Sequence, residues 1–182
     1  MGLNYQKLDQ KVRAYMLDEL KIDIEAGTVY ISERLNSIGK ASYVDFLRDA
    51  MKSGSDTTLA SVIRNGHLNA KEPRTTKNGV TLVSVPITAA DTLSEGEFNR
   101  YYIRALCREV IAEERGQLVV YRAKTVSSPR IESEMKIGTM VDARSLLRDL
   151  RSNTGVDTVL GLPAGPNSGL SVRIVGDEEI IA

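Results

Sequence analysis

Residues 94–115, SEGEFNRYYIRALCREVIAEER, read as one helix with two different faces. Ser94 is placed to cap its start, and Glu97, three residues on, completes a capping box. Ile103, Leu106, Cys107, Val110 and Ile111 recur at helical spacing as an apolar stripe. Arg100, Arg104 and Arg108 recur every four residues as a ridge on another side. Three guanidiniums in line suit phosphates or carboxylates, or form a solvated face. Gly116 closes the helix.

Moving outward, this helix lies between two β-prone runs. Val80 to Ile87, VTLVSVPI, is the clearest strand, with Pro86 placing its end near a sheet edge. Gln117 to Lys124, QLVVYRAK, is the second. Strand, helix and strand in this order fit a right-handed βαβ crossover or an antiparallel α+β sheet. Ahead of them, residues 66–79, GHLNAKEPRTTKNG, form a polar, cationic loop or hairpin edge. Behind them, 125–141 is irregular, and Asp142 caps a helix through Arg151. Residues 156–162 and 170–175 read as strands joined by PAGPNSG, and the tail GDEEIIA is acidic, then apolar.

The first 66 residues are mostly helical in pattern. Leu8, Val12, Tyr15, Met16 and Leu20 mark a helix over 4–26 ended by Gly27. TVYI at 28–31 is a short β-prone run, and SERLNSIG at 32–39 allows a single helical turn. Val44, Leu47, Ala50 and Met51 mark a helix over 41–52. Ser55 caps a third, through Arg64. The expected fold class is therefore α+β: a mostly helical region, about 1–66, then a mixed region, 67–182, with a small sheet and one long helix. The two together are expected to form a single domain.

Composition excludes several functions. Lys+Arg and Asp+Glu both number 24, so no global basic field draws the chain onto nucleic acid. One cysteine and one histidine exclude an intrachain disulfide and a Cys/His zinc site within the chain. Cys107 lies on the apolar stripe as a small buried hydrophobe, and His67 lies in a polar loop. No apolar run approaches the ~20 residues that span a bilayer. The N-terminus MGLNYQKLDQKVR has no signal-peptide core, and Gln6 breaks the myristoylation pattern after Gly2. A soluble, cytoplasmic protein is the expectation, with no membrane partner.

The arginine ridge gains neighbours downstream. Arg122 and Lys124 are two apart and would share a strand face, and Arg130, Lys136, Arg144, Arg148 and Arg151 follow. Converging, they would make a phosphate or nucleic-acid surface. Glu97, Glu109, Glu113, Glu114, Glu132, Glu134 and Asp149 are interleaved with them, so mutual ion pairing is the competing reading. Tyr101 and Tyr102 could stack on bases or simply pack.

The Gly-rich run 161–169, GLPAGPNSG, lacks the Lys-Ser/Thr of a Walker A loop and the GxGxxG spacing, and reads as a hairpin connection. A restriction-type nuclease would need an acid where Arg122 stands in Tyr121-Arg122-Ala123-Lys124. No G-x-S-x-G elbow is present.

The candidate anion or partner contacts are therefore Arg100, Arg104, Arg108, Arg122, Lys124 and Arg130. No catalytic residue, metal ligand or cofactor is assigned. The leading expectation is a non-enzymatic structural or interaction protein that self-associates, with a phage-like or mobile-element assembly as one fitting context. The alternatives are a nucleic-acid-binding protein or nuclease using the ridge, and an enzyme acting on a small anionic substrate.

Overall fold

A computed structural model describes residues 2–77, 79–154 and 168–176. The first three helices follow their caps. Helix α1 (Gln10–Ala26) starts where the Asp9 carboxylate accepts from Val12 N at 2.9 Å, and ends at Gly27, which is left-handed. Residues 3–8 are not helical. Helix α2 (Ser37–Ser53) starts earlier than its apolar pattern indicates, because Asn36 Oδ1 accepts from Gly39 N at 2.8 Å. Helix α3 (Asp56–Arg64) opens on the expected Ser55 cap, with Ser55 N donating to Thr58 Oγ1 at 2.8 Å. TVYI forms no strand. Val29 and Ile31 pack on the core as irregular chain between α1 and α2.

Strands β1 (Lys71–Thr76) and β2 (Gly79–Ser84) pair with each other as an antiparallel hairpin and form a separate two-stranded sheet. Gly79, at φ +115, occupies the turn in a conformation that L side chains rarely adopt. Helix α4 (Ala89–Glu113) follows. Strand β3 (Gln117–Arg122), helix α5 (Ile131–Glu134), strand β4 (Met140–Val141), helix α6 (Ala143–Ser152) and strand β5 (Leu170–Val175) complete the described elements. The second sheet has the order β4-β3-β5 and is antiparallel throughout. The βαβ alternative is thus corrected. β2 and β3 lie in different sheets, so no crossover joins them. The stretch 125–141, expected to be irregular, holds α5 and β4. The expected strand 156–162, most of the Gly-rich run 161–169 and tail residues 177–182 lie outside the described residues.

Helix α4 starts at Ala89, not Ser94, and Ser94 and Glu97 form no capping box. Both are buried within the helix body, and Ser94 Oγ has no partner. The true first turn is favoured by Asp91, whose carboxylate faces the positive end of the helix dipole and accepts from Arg64 at 2.7 Å.

The two-faced pattern is also corrected. Every residue from Phe98 to Cys107 is buried, because α1, α3, α6, β3 and β5 pack around α4. The apolar core runs through both halves of the chain. Val12 and Met16 of α1, Leu47 of α2 and Ile63 of α3 join Leu106 of α4, Val120 of β3, Leu146 of α6 and Val172 of β5. Among the described residues no helix is long and apolar enough to cross a membrane.

Candidate interaction surface

Burial of α4 decides the fate of the arginine ridge. Arg104 is fully buried. Its Nε donates to Glu19 Oε2 at 2.8 Å, its Nη1 to Asp23 Oδ2 at 2.6 Å and its Nη2 to Asp23 Oδ1 at 3.0 Å. Glu19 and Asp23 are four apart on α1, so both face α4. Tyr101 Oη donates to Asp23 Oδ2 at 2.7 Å, and Arg151 of α6 reaches Glu19 through Nε at 2.9 Å and Nη2 at 2.6 Å. Burial by itself would raise the Glu19 carboxyl. The Arg151 hydrogen bonds and the Arg104 charge outweigh it and hold the group below the ordinary range. Asp23 is likewise held low against its burial, by Arg104 first.

Arg100 and Arg108 flank this knot differently. Arg100 is buried and donates to the carbonyls of Leu150, at 3.3 Å, and Asn153, closing the C-terminal end of α6. Its Nε is 3.6 Å from Glu97 Oε1 and makes no hydrogen bond. Desolvation therefore prevails at Glu97, and the Arg100 charge only partly offsets it. The carboxyl is raised to about 7. Arg108 is partly exposed, lies over the Tyr15 ring and reaches Asp18 at 3.2 Å.

The downstream cations lie elsewhere. Arg122 pairs with Glu134 and donates to Ser168 O at 2.5 Å, whereas Lys124 pairs with Glu95. Strand β3 ends at Arg122, so the two do not share a strand face as expected. Arg130 is exposed and precedes α5. The six candidate contacts are thus distributed over an interior knot, a sheet end and a loop. Tyr101 and Tyr102 are buried, as is Cys107, whose thiol is pushed upward by burial. The His67 ring packs at a tilt against Phe46, with ring centroids 4.7 Å apart.

The hairpin β1–β2 is the surface feature that the ridge reading missed. Its root is fixed. Leu35 bridges Leu68, Val85 N donates to Ala70 O at 3.2 Å, and Arg34 grips Glu72 at 2.6 and 3.0 Å. Gly39 brings the first turn of α2 against this root, where an added Cβ would lie 2.3 Å from His67 O. Beyond the root, the strands pack chiefly on each other. Their register places Pro73 opposite Leu82 and Thr75 opposite Val80 on one face. That face is open: Val80 is 69% exposed and Leu82 68%. Lys71, Arg74 and Lys77 have no carboxylate partner among the described residues. The missed signal was period-2 alternation of Val80 and Leu82 beside a cationic strand, which suits a projecting hairpin as well as a core strand.

A second group of exposed apolar residues, Ile131, Met135 and Met140, lies around α5 and β4. A shallow concavity of about 520 Å³ lies between the end of α4 and β4, lined by Ile111, Arg115, Asp142 and Arg144 among others. Among the described residues no group of three His, Cys, Asp or Glu side chains is arranged to hold a metal ion. No family model matches the chain, and no curated protein or solved structure is significantly similar to it.

Proposed function

We propose that this chain is a non-enzymatic structural or interaction protein that self-associates, as a building block of a larger assembly. The observation that carries this reading is the hairpin β1–β2. An isolated two-stranded hairpin is marginal in water, and this one exposes Val80 and Leu82 on one face and carries three cations with no carboxylate partner among the described residues. A fixed root with an open apolar face is the form of a docking arm. Both outer strand edges lack a β partner among the described residues, so a further strand can add to either.

The test is light scattering on a size-exclusion column at tens of micromolar, with absorbance read at 260 and 280 nm on protein purified without nuclease. A discrete particle well above 20.0 kDa with a protein-like ratio is expected. A strict monomer overturns the reading. A high ratio that collapses in salt would instead favour nucleic acid held by cations such as Arg130.

A further inference from the structure

We infer that the cationic hairpin β1–β2 of one copy docks the acidic-apolar sequence Asp177-Glu178-Glu179-Ile180-Ile181 of a second copy, giving head-to-tail assembly. This deepens the self-association reading and rests on it. The first argument is chemical complementarity. The hairpin carries Lys71, Arg74 and Lys77, and its single carboxylate, Glu72, is already held by Arg34. The sequence after Gly176 supplies three carboxylates and then two isoleucines. Lys71 shares the open Val80–Leu82 face, Lys77 stands at the turn and Arg74 lies on the hairpin's other face, so cations flank the apolar surface that the isoleucines would meet.

The second argument is distance, and it makes the contact intermolecular. Val175 pairs with Gln117, just past the C-terminal end of α4, and an added Cβ on Gly116 would lie 3.1 Å from Val175 O. Gly176 therefore leaves the fold at that end of α4. The hairpin root lies at the other end, where Val85 bonds Ala70 and Arg64 of α3 pairs with Asp91 of α4. A helix of 25 residues is about 37 Å long. Ile181, five residues beyond Gly176, reaches at most about 17 Å. That reach is less than half the length of α4 and falls short of the hairpin root, so the contact is assigned to a neighbour's hairpin. Such a contact uses two different surfaces, so it closes reciprocally in a two-fold pair or propagates into a larger ring or a filament.

Charge reversal in the full-length chain tests this. One variant carries K71E, R74E and K77E, and the other D177K, E178K and E179K. Neither variant alone is expected to assemble, since each presents like charges on both surfaces. An equimolar mixture is expected to recover the particle seen for the unaltered chain, because each surface then meets its opposite in the other variant. If the unaltered chain is itself monomeric, the self-association reading fails and this inference with it. If the unaltered chain assembles and either variant still does so alone, self-association stands and the hairpin–tail contact is overturned. Variants that lose assembly but are not rescued by mixing overturn it as well.

Discussion

The same residue type is used in opposite ways beneath α4 and on the hairpin. Arg104 is enclosed by Glu19, Asp23 and Tyr101, with its guanidinium fork filled. Arg74 stands on a strand with solvent around it and no carboxylate partner among the described residues. A charge taken out of water is tolerable only when the geometry is complete, so the interior arginine is committed to the fold. A charge left in water costs the fold almost nothing and remains available to a partner. Spacing on a helix does not distinguish the two. Surrounding elements do.

The most severe break in this contrast is Arg104→Ala. Among the described residues it leaves the Asp23 carboxylate with Tyr101 and Thr28 as side-chain partners, and it strips Glu19 of one of its guanidiniums. Removing one partner of a buried pair costs about 3–5 kcal/mol. Urea unfolding should show that loss, and Arg104→Lys should recover only part of it, because an ammonium cannot fill both carboxylates with the same fork. A loss under about 1 kcal/mol would mean that Arg104 is not the knot's centre.

The next effect in size is a pH dependence set by Glu97. Below pH 4.5 its carboxyl is neutral in both folded and unfolded chains and carries no penalty. Between 4.5 and about 7 the unfolded chain ionises while the folded chain keeps the proton, so stability falls as pH rises. Above about 7 the loss is complete, on the order of 3 kcal/mol. Glu19 and Asp23 act with the opposite sign. Their stabilisation is present above the ordinary carboxylate range and is lost as pH falls through their lowered pKa values. Glu97→Gln should therefore match the parent at pH 5 and exceed it at pH 8 in urea midpoints. Parallel curves at both pH values would refute a buried, proton-holding Glu97.

Asn36 lies where body and arm meet, and its replacement sharpens the comparison. Its Oδ1 caps α2 and its Nδ2 donates to Gly66 O at 2.8 Å, at the hairpin root. Asn36→Ala should cost about 1 kcal/mol, chiefly through the lost cap. Hydrogen exchange should speed up at the start of α2 and at Leu68 and Asn69, and leave the α4 amides protected. Acceleration throughout α4 would show that arm root and core open as one unit.

Local chemistry made much of the fold legible. Ser55 and Asp142 act as helix caps, as their neighbours indicate, and Gly27 ends α1. The helical N-terminal region and the α+β class follow from apolar spacing, which a single element displays by itself. The ridge was visible as a pattern but not as an interior feature. Its partners, Glu19 and Asp23, lie 85 and 81 residues away, beyond any local signal. Ser94 and Glu97 carried the spacing of a cap but sit inside the helix, because Ala89 and Ala90 bury against the core and draw the first turn back. The hairpin was half legible. Residues 66–79 read as a cationic loop or hairpin edge, but nothing local to VTLVS tells whether its apolar face meets a core or solvent.

The smallest expected effect on stability is also the sharpest test of that face. Val80→Thr with Leu82→Thr places β-branched residues at both positions of β2, so the hairpin's backbone preference is preserved. Both side chains are mostly exposed, and their loss removes little buried surface from the body. The urea midpoint should move by no more than about 0.5 kcal/mol. Assembly measured by light scattering should weaken, because the docking face has lost its apolar contacts. Loss of more than about 2 kcal/mol would mean that the hairpin is packed like the interior, and the contrast with Arg104 would vanish. Unchanged stability with unchanged assembly would take the apolar face out of the contact. The cations Lys71, Arg74 and Lys77 would then remain as the hairpin's only means of holding a neighbour, and the interaction should weaken steeply as added salt shortens the Debye length below about 8 Å.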